Sequence, residues 1–250
     1  MQKGDFIRIN YVEKVSLTGR VTDTNIEAEA KNAGIFDSDR PQKYRPLPVI
    51  VGSGMPNRGI DEELVDMGDG DSRDFEIAPD KAYGTRDPKL INLVPLSFFK
   101  KQGINPVRGL PVRTRRGIAI VRSAMGGRIR LDYNHPLAGQ NMSYHLEVVG
   151  RAEDPETKIR WLMEMTLPSI DSDSHIVEVR DGIALVELNT GDLSPEAVER
   201  VREILTKQVE ENMPEVISVK FGPIEIEEPA GEEEPAEVNG KDDDEQNSEC

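Results

Sequence analysis

Residues 88–134 hold ten bases and a single acid, Asp132, inside a chain whose formal net charge is −16. On either side of this basic block the sequence alternates between apolar and polar residues. Phe6-Ile-Arg-Ile-Asn-Tyr-Val12 does so before it, and Met142 to Val149 after it. Alternation of period two marks strands with one buried face. One alternating pattern that stops, gives way to a stretch of different composition and then resumes constrains the fold strongly. It predicts an all-β core built from two separated stretches, with a small second unit inserted between them.

Composition narrows the functional classes. Residues 1–87 hold 12 bases and 17 acids, residues 135–226 hold 8 and 18, and residues 227–250 hold 1 and 11. A surface this acidic excludes nonspecific or specific DNA binding as the main role. With 250 residues, 36% of them hydrophobic, two domains or three small ones are expected. The one cysteine, Cys250, rules out a disulfide framework and fits a reducing cytoplasm. No apolar run reaches the 18 or so residues of a membrane span, and the opening residues carry no apolar signal core. Asn141-Met-Ser143 is a chance match to a glycosylation sequon.

The sequence predicts strands over Phe6–Val12, Arg20–Asp23, Leu47–Val51, Arg73–Ile77 and Met142–Val149, with helices over 26–33 and about 59–66. Inside the block, Leu110–Arg113, Gly117–Arg122 and Arg128–Leu131 read as strands, and Gly126-Gly127 as a hairpin turn. Residues 155–226 form a unit of order α-β-β-α-β. Thr157–Leu167 reads as its first helix, and Asp181-Gly182 joins two strands. Ser194 with Pro195 opens a second helix running to Met213 with Val198, Val201, Leu205 and Val209 on one stripe. Val216–Ile226 is the last strand. Residues 227–250 are predicted to form a disordered acidic tail.

Few motifs carry chemistry. Gly52-Ser-Gly54-Met-Pro-Asn-Arg-Gly59 has the wrong spacing for a phosphate loop and reads as a strand-to-helix turn. The three histidines, His135, His145 and His175, lack zinc-ligand spacing, and no serine nucleophile motif is present. Tyr83 and Tyr144 stand out because the chain has only 12 aromatic residues.

Taken together, several stretches resemble the FKBP-type peptidyl-prolyl isomerases. They are Tyr11, Thr22-Asp-Thr24, Pro46-Leu-Pro-Val-Ile-Val-Gly52, Arg58-Gly-Ile-Asp-Glu62, Ile77-Ala-Pro-Asp-Lys-Ala-Tyr-Gly84 and Tyr144-His-Leu-Glu-Val-Val149. The block, with Asp87-Pro-Lys-Leu-Ile91, Val94-Pro-Leu-Ser-Phe-Phe99 and the return His135-Pro-Leu-Ala-Gly-Gln140, resembles the insert-in-flap domain of SlyD-like members. The unit 155–226 resembles that of long archaeal members. The resemblance implies an α+β fold in which an antiparallel sheet wraps a short helix. It places a catalytic domain at 1–87 plus 135–151, a chaperone insert at 88–134 and a dimerising α/β domain at 155–226.

The resemblance also implies which residues act. Tyr11, Asp23, Leu47, Val49, Ile60, Tyr83 and Tyr144 match pocket-lining positions. Met55, Pro56 and Asn57 match the rim that touches substrate, with Pro56 and Asn57 standing where aliphatics are usual. Leu47 and Ile60 stand where relatives often carry aromatics, which predicts an altered macrolide pocket. Tyr83 is expected to hydrogen-bond a substrate carbonyl. Val94, Leu96, Phe98, Phe99 and Ile104 of the insert are expected to hold unfolded clients. No metal and no cofactor is implied. The expected partners are unfolded or nascent polypeptides containing X-Pro, a second copy of the chain, and the neighbourhood of the ribosome. The competing expectation is a non-catalytic chaperone, or a ribosome-associated client-binding module, with a vestigial pocket.

Overall fold

The computed structural model describes residues 1–167, 174–189, 191 and 193–223. The acidic tail and the outer end of the strand expected at 216–226 lie outside the described residues. Among the described residues the fold is α+β, with three sheets and three apolar cores.

The first sheet is antiparallel and centres on β1 (Phe6–Val15). One edge of β1 pairs along its length with β9 (Met142–Arg151). The other edge is shared: Phe6–Ile9 pair with β3 (Leu47–Ile50), and Val12–Lys14 with β2 (Val21–Thr24). β4 (Ser72–Ile77) pairs outside β9. The predicted strands either side of the block are thus hydrogen-bonded neighbours.

Alternation assigns the two faces. Ile7, Ile9 and Val15 of β1 share a core with Val49 of β3, with Val51 just after it, and with Met142, Tyr144, Leu146 and Val148 of β9. A short helix, α1 (Glu27–Asn32), follows β2, and helix α2 (Arg58–Leu64) covers this face with Ile60 and Leu64. α2 lies close on the sheet because residue 59 is glycine. A Cβ there would sit 2.4 Å from Ile77 Cγ2, so any larger residue would force the helix away. Asp61 accepts from the backbone N–H of Gly52 at 2.7 Å and of Gly54 at 3.0 Å. Both glycines have positive φ, so this loop is a tied strand-to-helix turn.

The opposite face carries Phe6 and Ile50, which join the core of the C-terminal unit. That unit has the predicted order: α4 (Pro155–Thr166), β10 (Ile176–Arg180), β11 (Ile183–Glu187), α5 (Pro195–Asn212) and β12 (Ser218–Phe221). Asp154 caps α4 through Thr157 N–H, and Ser194 caps α5 through Ala197 N–H. Asp181 (φ 51°) and Gly182 (φ 75°) make the tight β10–β11 hairpin. Arg8 of β1 reaches α4, pairing with Glu164 at 2.6 Å and lying 4.9 Å over the Trp161 ring. Because Phe6 is 1% exposed between sheet and helix, Phe6→Ala is expected to cost about 3–5 kcal/mol. Chemical denaturation should show the loss in both units, and a loss confined to one would refute the shared core.

The insert forms its own four-stranded sheet, ordered β5 (Ile91–Pro95), β8 (Arg128–Asp132), β7 (Gly117–Met125) and β6 (Pro111–Thr114). β5 and the short helix α3 (Leu96–Lys100) were not anticipated. Gly126 and Gly127 turn the β7–β8 hairpin with positive φ.

The two chain crossings between insert and first sheet are clamped together. Asn134 Oδ1 accepts from Asp87 N–H, and Asn134 Nδ2 donates to the Asp87 carbonyl. Asp132, 2% exposed, pairs with Arg122 at 2.8 Å and with Arg86, and accepts from the Asn134 backbone and side chain. Burial opposes its ionisation, but the Asn134 and Arg122 hydrogen bonds and the Arg86 charge outweigh it, so its pKa lies below the usual value. A lowered folded pKa gives stability that is complete above the unfolded carboxylate value and lost as pH falls through the folded one. The insert is therefore expected to loosen below about pH 4. Amide exchange at Arg86–Asp87 and Asp132–Asn134 should reveal it, and Asp132→Asn should remove the pH dependence.

Candidate functional site

The site forms on the α2-covered face of the first sheet, where β1, β2, β3 and β9 converge on a buried carboxylate. Glu13 is 3% exposed. It falls on the apolar face by alternation from Ile7 and Ile9, opposite Tyr144 on β9 and Asp23 on β2. Tyr144 donates its hydroxyl to Glu13 Oε2 at 2.5 Å, and Tyr83 donates to the same oxygen at 2.7 Å. Thr22 Oγ1 donates to Glu13 Oε1 at 2.5 Å.

A third tyrosine of the site, Tyr11, donates to Asp23 Oδ2 at 2.9 Å. Lys43 pairs with Asp23 Oδ1 at 2.5 Å and offsets its charge beside Glu13. Asn25 fixes the strand beneath, accepting from Tyr11 N–H and donating to the Ile9 and Arg45 carbonyls. Burial first, then the neighbouring carboxylates, pushes all three phenols above the ordinary tyrosine pKa. They are hydroxyl donors throughout the working pH range.

Val49 and Ile60, 2% and 1% exposed, lie in the apolar core under this polar cluster, with Leu47 packed against it. Phe75 stacks on Tyr144 at 5.8 Å, and His135, where the chain returns from the insert, stacks on Tyr83 at 4.5 Å and 3°. Asn57 caps α2 by accepting from Ile60 N–H, while its Nδ2 donates to Tyr144 Oη at 3.1 Å. Met55 is 56% exposed and Pro56 is exposed beside it. A cavity of about 360 Å³ opens next to Tyr11 and Leu47, with Lys43, Pro46 and Pro48 along it and Met165 of α4 as one wall.

The structure gathers Tyr11, Leu47, Val49, Ile60, Tyr83 and Tyr144 on one apolar core, with Asp23 joined through the Tyr11 hydroxyl; of these seven, Tyr11 and Leu47 line the cavity, and Val49, Ile60 and Tyr144 are buried. It differs on one contact: the Tyr83 hydroxyl is engaged by Glu13. Sequence reasoning missed Glu13, Lys43 and His135. Glu13 had a signal, because the Ile7-Ile9-Tyr11-Glu13-Val15 alternation places it on the buried face.

In the insert, Phe99 is 1% exposed and sits in the core with Val121, Ile129 and Leu131. The expectation that Phe99 meets clients is therefore corrected: its ring is used to hold the insert together. Val94, Leu96 and Ile104 are partly buried against the same core. Phe98, edge-on to Phe99, is 51% exposed. It lies on a groove of about 740 Å³ with Val94, Tyr133, Arg113, Arg115 and Arg116.

An antiparallel sheet closed by one short helix, with three tyrosines gathered on two carboxylates over an apolar core and an insert after Tyr83-Gly84, defines a prolyl isomerase of the FKBP type. Sequence comparison agrees. The model of the FKBP-type peptidyl-prolyl cis-trans isomerase family matches residues 1–95, and that of the FKBP26 IF domain matches residues 92–137. The short-type peptidyl-prolyl cis-trans isomerase of Methanocaldococcus jannaschii is 32% identical over 148 residues, 59% of this chain and 92% of that protein. The SlyD isomerase of Helicobacter pylori is 29% identical over 54% of this chain and 75% of its own length. The FKBP-type 16 kDa isomerase of Escherichia coli is 25% identical over 57% and 92%. The chain belongs to the FKBP-type peptidyl-prolyl cis-trans isomerases and is an isomerase that takes polypeptide substrates. Among the described residues, no helix is long and apolar enough to cross a membrane.

Proposed function

We propose that X-Pro bonds turn in the hollow formed by Tyr11, Asp23, Leu47, Val49, Ile60, Tyr83 and Tyr144. The observation that carries this reading is the packing of Tyr11, Tyr83 and Tyr144 over the core of Val49 and Ile60, beside the cavity at Tyr11 and Leu47. The X-Pro amide turns over a barrier of about 18–20 kcal/mol because resonance holds it planar. The planar amide is more charge-separated than the twisted one. An apolar floor that takes it out of water therefore penalises the ground state more than the transition state. Lowering the barrier by about 4–6 kcal/mol would accelerate exchange by three to four powers of ten. Tyr11 and Asp23 hold the wall beside the turning carbonyl, and Met55, Pro56 and Asn57 form the substrate rim. The chain flanking proline runs along the cavity between Leu47 and Met165.

The insert, 88–134, holds unfolded clients on the Phe98 groove, and its cationic residues draw in acidic segments. The unit 155–226 presents Ile176 and Ile217, 49% and 80% exposed at opposite ends of its β10–β11 hairpin, and the reading gives this unit a homodimer contact. Work in the cytoplasm near the ribosome completes the reading. The competing reading, a binding module without turnover, draws on Pro56-Asn57 and the basic block. Magnetisation-exchange NMR on a short X-Pro peptide, run beside a proline-limited refolding reaction, separates the two. Acceleration of both supports the enzyme with a client-holding insert. Suppressed aggregation without acceleration of either supports the binding module.

A further inference from the structure

A phenol has one hydrogen to donate, and Tyr83 and Tyr144 both give theirs to Glu13 Oε2, at 2.7 and 2.5 Å. Thr22 gives its hydroxyl to the other oxygen. These three partners are neutral hydroxyls aimed at a carboxylate that is 3% exposed. Tyr144 is locked further, since its oxygen accepts from Asn57 Nδ2. Tyr83 is the more accessible of the pair: it is half-buried and stacked on the exposed His135. A hydrogen bond to a carboxylate is roughly twice as strong as one to a neutral carbonyl. An amide carbonyl entering the hollow is therefore the weaker acceptor for the Tyr83 proton.

We propose that Glu13 is a positioning residue of the isomerase reaction, competing with the X-Pro carbonyl for the Tyr83 hydroxyl and so setting the affinity of the pocket. This rests on the placement of the pocket given above. In the resting protein Tyr83 presents a wall, not a free donor. A bound carbonyl gains the Tyr83 hydroxyl only when its hydrogen bond to Glu13 breaks. The consequence is weak binding of the planar ground state, which suits an enzyme that must release every proline it turns.

The test compares the native chain with Glu13→Gln, which keeps the volume and offers a neutral acceptor. Kd and exchange rate for a short X-Pro peptide are read by NMR. Glu13→Gln is expected to tighten Kd by about tenfold, one freed hydrogen bond in size. Adding Tyr83→Phe should abolish that gain. A Kd that is unchanged or weaker, or a gain that survives Tyr83→Phe, overturns the proposal. A merely structural glutamate would lower the melting temperature and the exchange rate without tightening binding.

Where Glu13→Gln fails to fold, the native chain labelled at tyrosine Cζ serves. Saturating peptide should move the Tyr83 resonance, and an unmoved one overturns the proposal. Asp23→Ala, run alongside, distinguishes the failures. If it slows exchange while Glu13→Gln tightens nothing, only the role of Glu13 falls. If neither variant changes anything, the pocket itself is misplaced.

Discussion

Asp23→Ala is expected to lower kcat/KM for a short X-Pro peptide by about ten- to hundredfold, because hydrogen bonds to charged groups contribute about 1.5–3 kcal/mol. The substitution removes the acceptor of the Tyr11 hydroxyl and leaves Lys43 without its 2.5 Å partner. Tyr11 then swings from the wall beside the substrate, and an unpaired ammonium stands at the rim of an apolar hollow. Asp23→Asn keeps an acceptor for Tyr11 but not the charge that holds Lys43, and should fall between native and alanine. β2 is a four-residue edge strand, so neither change should unfold the sheet. Magnetisation-exchange NMR reads the rates directly. A native rate in Asp23→Ala would remove Asp23 from the mechanism.

The second large effect concerns clients. Phe98→Asp is expected to slow catalysis of a proline-limited protein refolding reaction by about tenfold or more, and to spare the short peptide. The ring of Phe98 is half exposed, so covering it with a client buries the remaining half for about 1–1.5 kcal/mol. A carboxylate in its place must also be desolvated. Phe99→Asp makes the contrast, since that ring is in the insert core. It should unfold the insert instead of acting on clients alone. Equal loss on peptide and protein substrates in Phe98→Asp would show that the groove does not hold clients.

Much of this was legible in the sequence for local reasons. Ile7-Ile9 and Met142-Tyr144-Leu146-Val148 bury every second residue, so strand and face followed from one pattern. Asp181-Gly182, Gly126-Gly127 and the Ser194-Pro195 cap require particular backbone angles, and the turns and helix start fell where they stood. The site residues on those strands came with the resemblance.

What escaped depended on neighbours far away in sequence. Alternation puts Glu13 on the buried face of β1, but its partners Tyr83, Tyr144 and Thr22 arrive from three other segments. Phe98 and Phe99 are adjacent and chemically identical, and only the turn of α3 sends one ring inward and the other out. β5 and α3 were hidden by Pro88 and Pro95, which punctuate a stretch too short for periodicity. Residues 155–226 read as a separate unit from their own α-β-β-α-β pattern, although Phe6 and Ile7 make both faces of β1 apolar at its start. The sequence does not say that α4 and α5 cover the Phe6 side.

The most direct test of where prolines turn is methyl NMR of the native chain with a short X-Pro peptide in fast isomerisation exchange. The methyls of Leu47, Val49 and Ile60 are expected to shift as the peptide's cis and trans signals begin to exchange. Exchange that proceeds while those methyls stay fixed, or shifts confined to the Phe98 groove, would contradict the pocket.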